Sequence, residues 1–281
     1  MKYHDPASGH AVSQGILPIV SGLAWGLGYF GMPHILVRFM AIRDPEEVKK
    51  SRNIAMTWVL ISLAVAVCIG FTGAALYSDV PELAGNGNQR IFIYMTTHLF
   101  QGIIPLFIAG IILSGILAAT MSTSDSQLLI ASSCVSKDLF QGLLKKEVSE
   151  KHVLMISRVT TILIALIGIV IAMDENSSVF GLVENAWAGF GGAFGPLMLF
   201  SLFWKRTNLK GAAAGMLSGG IIALVWPFTL AKLGGIFEIY CLLPAFIVSS
   251  LLIVVVSLCT EEPDDVVIQE FDHAKQLSME E

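Results

Sequence analysis

Charge is scarce in this sequence: Asp, Glu, Lys and Arg supply 14% of its 281 residues, against about 25% in a soluble domain. Hydrophobic residues supply 54%, and the mean hydropathy is +0.72. So little charge argues against a soluble globular protein, and so much apolar residue argues against a disordered chain. Positive charge is short as well. The formal net charge of -5 is not that of a nucleic-acid binder, which carries a basic stripe. Cysteine is limited to Cys68, Cys134, Cys241 and Cys259. They show no CxxC spacing and lie in or at the ends of apolar runs. They read as reduced, buried thiols rather than as a disulfide framework or zinc ligands. Enzyme signatures are missing too: there is no GxSxG, HExxH or GxxxxGK, and no two histidines stand at i, i+4. Nothing here reads as an enzyme.

What the sequence has instead is long apolar runs. Seven predict membrane-spanning helices: Gly15–Val37, Ile54–Tyr77, Ile103–Val135, Val153–Met173, Val179–Trp204, Gly211–Ala231 and Ile239–Leu258. Each reaches the length needed to cross the hydrocarbon core, about 17–25 residues. The runs do not alternate apolar with polar as barrel strands do, so the fold class is all-α, a polytopic membrane protein in the lipid bilayer. The segment 1–14 is polar and does not have the form of a signal peptide. Ser78–Gly102 joins the second and third spans. Within it Gln89–Leu99 reads as a short amphipathic helix, either re-entrant or part of an ordinary structured loop. The third span runs on to about Phe140, which requires a strong tilt or a projection from the membrane.

The basic residues orient the bundle. Arg38, Arg43, Lys49, Lys50 and Arg52 follow the first span; Lys137, Lys145, Lys146 and Lys151 follow the third; Lys205, Arg206 and Lys210 follow the fifth. The alternate loops hold only Arg90 and Lys232. The basic loops are expected in the cytoplasm, with segment 1–14 outside and the acidic tail 260–281 inside. A seven-helix receptor or sensor shares this topology, although the tail is short for a signalling domain.

Two segments break the monotony. Around the middle of the first span, Gly26, Gly28, Gly31 and Pro33 fall within eight residues of one another. Glycine and proline both disfavour a helix interior, and an interrupted span points to a transporter's binding site. Trp25, Tyr29 and Pro33 share one face at i, i+4, i+8, and the two rings offer a wall for a small apolar ring. A kinked helix that uses its glycines for close packing gives the same pattern. In the third span, Ala119, Ser122, Thr123 and Ser126 stand at i, i+3, i+4, i+7 and form one stripe. Neutral oxygens of this kind suit a hard monovalent cation such as sodium, without burying several charges. Hydroxyls that merely bond back to their own helix give the same stripe. Asp125 is the one acid in that span, placed to attract a cation or to sit in a watery vestibule. Glu184, near the outer end of the fifth span, reads as structural, Arg158 as a snorkelling side chain, and His34 as a local hydrogen-bonding residue. The fifth span also carries AWAGFGGAFGP, a run of small residues suited to close packing or to a hinge.

The stretches WGLGYFGMPHILVRFMA, ILAATMSTSDSQLLIASS and LVENAWAGFGGAFGPLMLFSLFW resemble the sodium/solute symporter family, and within it the sodium/proline branch. The likeness runs from about Ser21 to Leu258, with the sodium/pantothenate branch its nearest rival. It implies the second half of a five-plus-five inverted-repeat fold. Residues 15–204 are then the second repeat, residues 205–259 two peripheral helices, and residues 260–281 a cytoplasmic tail. It implies a sodium ligand set of the Ala119 carbonyl and the Ser122 and Thr123 hydroxyls. It implies a proline pocket that uses Trp25, Tyr29 and Pro33, with Met32 standing where that branch usually has glutamine. The family's first repeat is missing. The resemblance therefore implies a partial symporter: a truncated reading frame, an inactive fragment, or one half of a two-chain protein, with Met1 ahead of a polar stretch as at an internal start.

The charge asymmetry makes a direct prediction. With its natural cysteines removed, the chain carrying Lys49→Cys is expected to resist a membrane-impermeant thiol reagent added outside intact cells, and to react once the cells are opened. Labelling from outside would invert the topology.

Overall fold

The computed structural model describes residues 2–4, 11–13, 15–143, 149–173 and 178–280. Lys145 and Lys146 lie outside the described residues, as does most of segment 1–14. Helices follow one another in the order α1 Ile16–Gly28, α2 Pro33–Met40, α3 Pro45–Leu76, α4 Ile91–Leu99, α5 Ile103–Ser133, α6 Glu150–Ala172, α7 Val179–Phe203, α8 Leu209–Val225, α9 Leu242–Cys259 and α10 Asp265–Glu280. A small antiparallel pairing, Lys2↔Ser13 to His4↔Ala11, precedes them. Six helical segments are long and apolar enough to span a membrane, and the bent pair Ile16–Gly31 and Pro33–Met40 makes a seventh. The protein is therefore an all-α polytopic membrane protein. The long third span is present as one helical stretch, Ile103–Gly142, whose last part, Cys134–Leu143, widens into π geometry. The expected amphipathic helix is α4, entered through a 3₁₀ turn at Gly85–Arg90.

The chain forms two compact units: residues 47–178, which hold α3 to α6, and residues 1–46 together with 179–281, which hold the rest. In the first, the apolar windows of α3 and α6 bury none of their residues and that of α5 buries 6%. Trp58, Phe71, Phe107 and Val170 are all exposed. Helices apolar on every side and almost wholly exposed are suited to lipid or to further protein. The same orientation accounts for a correction. Only Cys241 is a buried thiol, whereas Cys68, Cys134 and Cys259 are exposed, because an apolar run in a spanning helix faces outward as readily as inward.

The second unit packs through its smallest residues. Gly211, Gly215, Gly219 and Ala223 make one buried stripe on α8. It meets Ala245, Ser249, Ile253 and Ser257 on α9. A Cβ placed on Gly215 would stand 3.0 Å from the Ser249 carbonyl oxygen, and one on Gly192 of α7 would stand 2.8 Å from the Ala245 Cβ. Small residues at four-residue spacing let helix backbones approach, which is how helices associate where the hydrophobic effect gives them no preference for one another over lipid. Pro196 is buried inside α7, and the helix continues past it to Phe203.

At the end of this unit expected in the cytoplasm, polar groups close the helix termini. Asn208 caps α8, its side-chain oxygen accepting from the Gly211 N–H at 2.8 Å, while its amide donates to the Thr260 hydroxyl at 2.7 Å. The Arg206 guanidinium donates to the Thr260 carbonyl at 2.8 Å, satisfying a carbonyl beyond the last turn of α9. Lys205 pairs with Asp272 of α10. The basic loop thus faces the acidic tail.

Gly26 has nothing within 4 Å of the place a Cβ would take, whereas a Cβ on Gly31 would stand 2.8 Å from the Gly195 nitrogen and 2.9 Å from the Gly191 Cα. Gly26→Ala is expected to raise the thermal midpoint of the detergent-solubilised protein, by removing about 0.5–1 kcal/mol of helix penalty. Gly31→Ala is expected to lower it by an amount typical of overpacking, about 1–3 kcal/mol. Equal midpoints would place the close approach elsewhere.

Candidate functional site

The first cluster is the break in the first span. α1 ends at Gly28 and passes into a single 3₁₀ turn, Tyr29–Gly31. Met32 is extended, with φ −79° and ψ 113°, and α2 restarts at Pro33. The axis bends by 46°. Pro33 explains the position of the break: a proline disfavours helical geometry in the residue before it and suits the first position of a new helix, where no N–H is needed. The Met32 carbonyl caps the restart, accepting from the Ile35 and Leu36 N–H groups at 3.0 Å each.

The glycines of this segment have a different role from the one their helix-breaking character predicts. Gly28 and Gly31 are buried and lie against α7. A Cβ on Gly191 would stand 2.7 Å from the Gly28 Cα, and one on Gly195 would stand 3.4 Å from the Leu27 carbonyl oxygen. The break and the close packing, alternatives in the sequence, both occur: Met32 and Pro33 make the first, Gly28 and Gly31 the second.

The three residues predicted to form the pocket differ in exposure. Trp25 is half-buried, packed on Phe180 with ring centroids 5.3 Å apart, on Tyr240 at 5.5 Å and on Trp187 at 6.0 Å. Tyr29 is 55% exposed and meets Trp187 edge to face at 4.8 Å. Pro33 is half-buried at the start of α2, and Met32 beside it is buried. Trp25 and Tyr29 are thus brought together through their common contact with Trp187. The Trp187 indole N–H donates to the Trp25 carbonyl at 3.0 Å. Tyr240 completes the cluster: its hydroxyl donates to the Glu184 carbonyl at 2.8 Å, and its N–H donates to the Ser21 hydroxyl at 3.0 Å. Glu184 therefore enters the cluster through its backbone.

The second cluster lies on α5, in the other unit. The Ser122 and Thr123 hydroxyls each donate to the Ala119 carbonyl at 3.1 Å. Ser126 continues the series by donating to the Ser122 carbonyl at 2.9 Å. Three oxygens, from Ala119, Ser122 and Thr123, thus gather on one exposed turn. Each hydroxyl donates inward and keeps its lone pairs for another partner. Asp125 is exposed on the following turn, Arg158 is exposed on α6 and His34 is half-buried on α2. Among the described residues, no three His, Cys, Asp or Glu side chains gather to hold a metal ion.

Trp187 and Tyr240 were not anticipated as part of the aromatic cluster, nor was the α8 stripe as a packing face. The stripe has a legible signal, glycine at every fourth position from Gly211 to Gly219. Trp187 and Tyr240 have none, because their partners Trp25 and Ser21 stand 162 and 219 positions away.

The chain is similar to known membrane transporters. The profile of the "Sodium:solute symporter family" matches residues 2–219. The sodium/proline symporter of Haemophilus influenzae is 43% identical over 267 residues, covering 94% of this chain and 52% of that protein. The sodium/proline symporter of Escherichia coli is 44% identical over 259 residues, covering 91% and 50%. An osmoregulated proline transporter of Bacillus subtilis is 43% identical over 249 residues, covering 88% and 49%. The chain spans about half the length of these curated relatives. No solved structure matches it significantly.

Proposed function

The chain belongs to the sodium:solute symporter family, and we propose that it takes part in sodium-coupled uptake of proline across the cytoplasmic membrane. The observation that carries this reading is the gathering of the Ala119, Ser122 and Thr123 oxygens on one turn of α5. A sodium ion is a hard cation and takes oxygen ligands. Three neutral oxygens provide part of its shell without the cost of burying fixed charge in the membrane. While both hydroxyls donate to the Ala119 carbonyl, they offer the ion only their own lone pairs. Turning one of them away releases the carbonyl as a third ligand. The rest of the ion's shell comes from outside this turn of α5.

Solute binding falls to the broken helix. Tyr29 presents an exposed ring and a hydroxyl, the ring for the apolar face of a pyrrolidine and the hydroxyl for its carboxylate or amine. Trp25 backs the wall from within its aromatic stack, and Pro33 sets the bend that opens it. Sodium favours the arrangement in which both sites are formed, so each ligand raises the affinity for the other by the same factor. Opening this arrangement alternately to either side gives transport.

The ion assignment is tested by uptake of labelled proline as a function of sodium. Thr123→Val and Ser122→Ala are each expected to raise the half-activating sodium concentration about tenfold, equivalent to about 1.4 kcal/mol of lost ion binding. Apparent proline affinity at saturating sodium is expected to change little. An unchanged sodium response in both variants would return the stripe to a structural role. The solute assignment is tested by Tyr29→Ala at saturating sodium. Losing an aromatic wall worth about 1.5–3 kcal/mol of apolar contact is expected to weaken proline binding about tenfold or more.

A further inference from the structure

Trp187 is an aromatic side chain in contact with both Trp25 and Tyr29. Its plane lies 26° from that of Trp25, and its ring meets Tyr29 edge-on at 84°. Its N–H donates to the Trp25 carbonyl at 3.0 Å. The notch at Gly28 is filled by the same ring, since a Cβ there would fall within contact-forbidden range of the Trp187 indole. A single side chain on α7 therefore touches positions 25, 28 and 29, the last helical turn before the break. One turn onward, Gly31 sits on the α7 backbone at Gly191 and Gly195.

We propose that Trp187 is a positioning residue for solute binding: its indole, seated in the Gly28 notch and bonded to the Trp25 carbonyl, fixes the direction in which Tyr29 presents its ring. The proposal rests on the reading of Tyr29 as a solute contact. Two features make Trp187 the residue that sets this direction. Trp25 packs on Phe180 and Tyr240 as well as on Trp187, so its place is held by several contacts. The ring contact that Tyr29 makes is with Trp187, and the rest of its ring stands exposed. The indole N–H also bonds a backbone carbonyl at the end of α1, where the 3₁₀ turn draws the chain away from regular helix geometry. A rigid two-ring side chain bonded at its edge restricts the tilt of that turn far more than an aliphatic side chain of similar volume would.

The test uses the chromosomal copy, so that the chain is assayed with everything it is made with. Trp187→Phe keeps an aromatic ring and removes the N–H. At saturating sodium it is expected to raise the half-saturating proline concentration about fivefold to tenfold, with the half-activating sodium concentration at saturating proline and the maximal uptake per membrane-inserted protein unchanged. A residue that served stability alone would lower the maximal uptake and leave half-saturation where it was. Gly28→Ala is the second variant. Its methyl competes with the indole for one space, so it is expected to weaken proline binding more than tenfold. Trp187→Leu, which loses the ring as well as the N–H, is expected to weaken proline binding at least as much as Trp187→Phe. If Tyr29→Ala weakens proline binding while Trp187→Phe leaves half-saturation unchanged, the positioning role is overturned and the solute reading stands. A smaller loss of proline binding in Trp187→Leu than in Trp187→Phe also overturns it. If Tyr29→Ala has no effect, the solute reading fails and the positioning role with it.

Discussion

The contact on which the second unit depends is the approach of two backbones, Gly28 and Gly31 of the broken helix against Gly191 and Gly195 of α7. In a membrane, apolar side chains gain nothing by leaving lipid for one another. Association is left to dispersion contacts, hydrogen bonds and fit. Dispersion falls away over fractions of an ångström, so the absence of side chains at these positions is what allows the contact. The stripe on α8 extends the same device to α9, with Gly215 against Ile253 and Gly211 against Ser257. The aromatic cluster lies beside this contact and depends on it: with α1 held away from α7, the Trp187 indole would not reach the Trp25 carbonyl.

Much of this was legible in the sequence, for a simple reason. A spanning helix must be about 20 apolar residues long whatever else it does, so the spans declare themselves without reference to their partners. The hydroxyl stripe was legible too, since its three oxygens lie within five positions of one helix and the 3.6-residue period brings them together unaided. The break was legible in place but only partly in cause. Composition alone assigns it to the glycines, whereas backbone geometry gives it to Met32 and Pro33 and gives Gly28 and Gly31 to packing. Residue type reports what a glycine permits. It does not report which permission the fold uses.

Illegible were the contacts between distant parts of the chain. Tyr240 falls at the start of the predicted seventh span and just ahead of α9, yet its ring, its hydroxyl and its N–H join α1 and α7. No local period predicts such a residue, because its role is set by two helices that begin 61 and 224 positions before it. The exposure of three of the four cysteines follows from the same limit. Hydropathy identifies a run that enters the membrane but leaves its facing undetermined.

The hydroxyl stripe answers a problem set by the helix that carries it. An exposed serine or threonine on a membrane helix is costly if its O–H has no acceptor. Ser122 and Thr123 avoid that cost by donating to the Ala119 carbonyl, and Ser126 avoids it by donating to the Ser122 carbonyl. The helix can therefore meet lipid before any partner surface covers it. A hydroxyl that donates also becomes a somewhat better acceptor, through polarisation along the chain of bonds. The arrangement that makes the stripe tolerable in hydrocarbon thus strengthens the lone pairs that a cation would use. Binding then competes with the back-bonds only at the carbonyl. At such a site, the ease with which a Ser122 or Thr123 hydroxyl turns aside would bear on how tightly an ion is held.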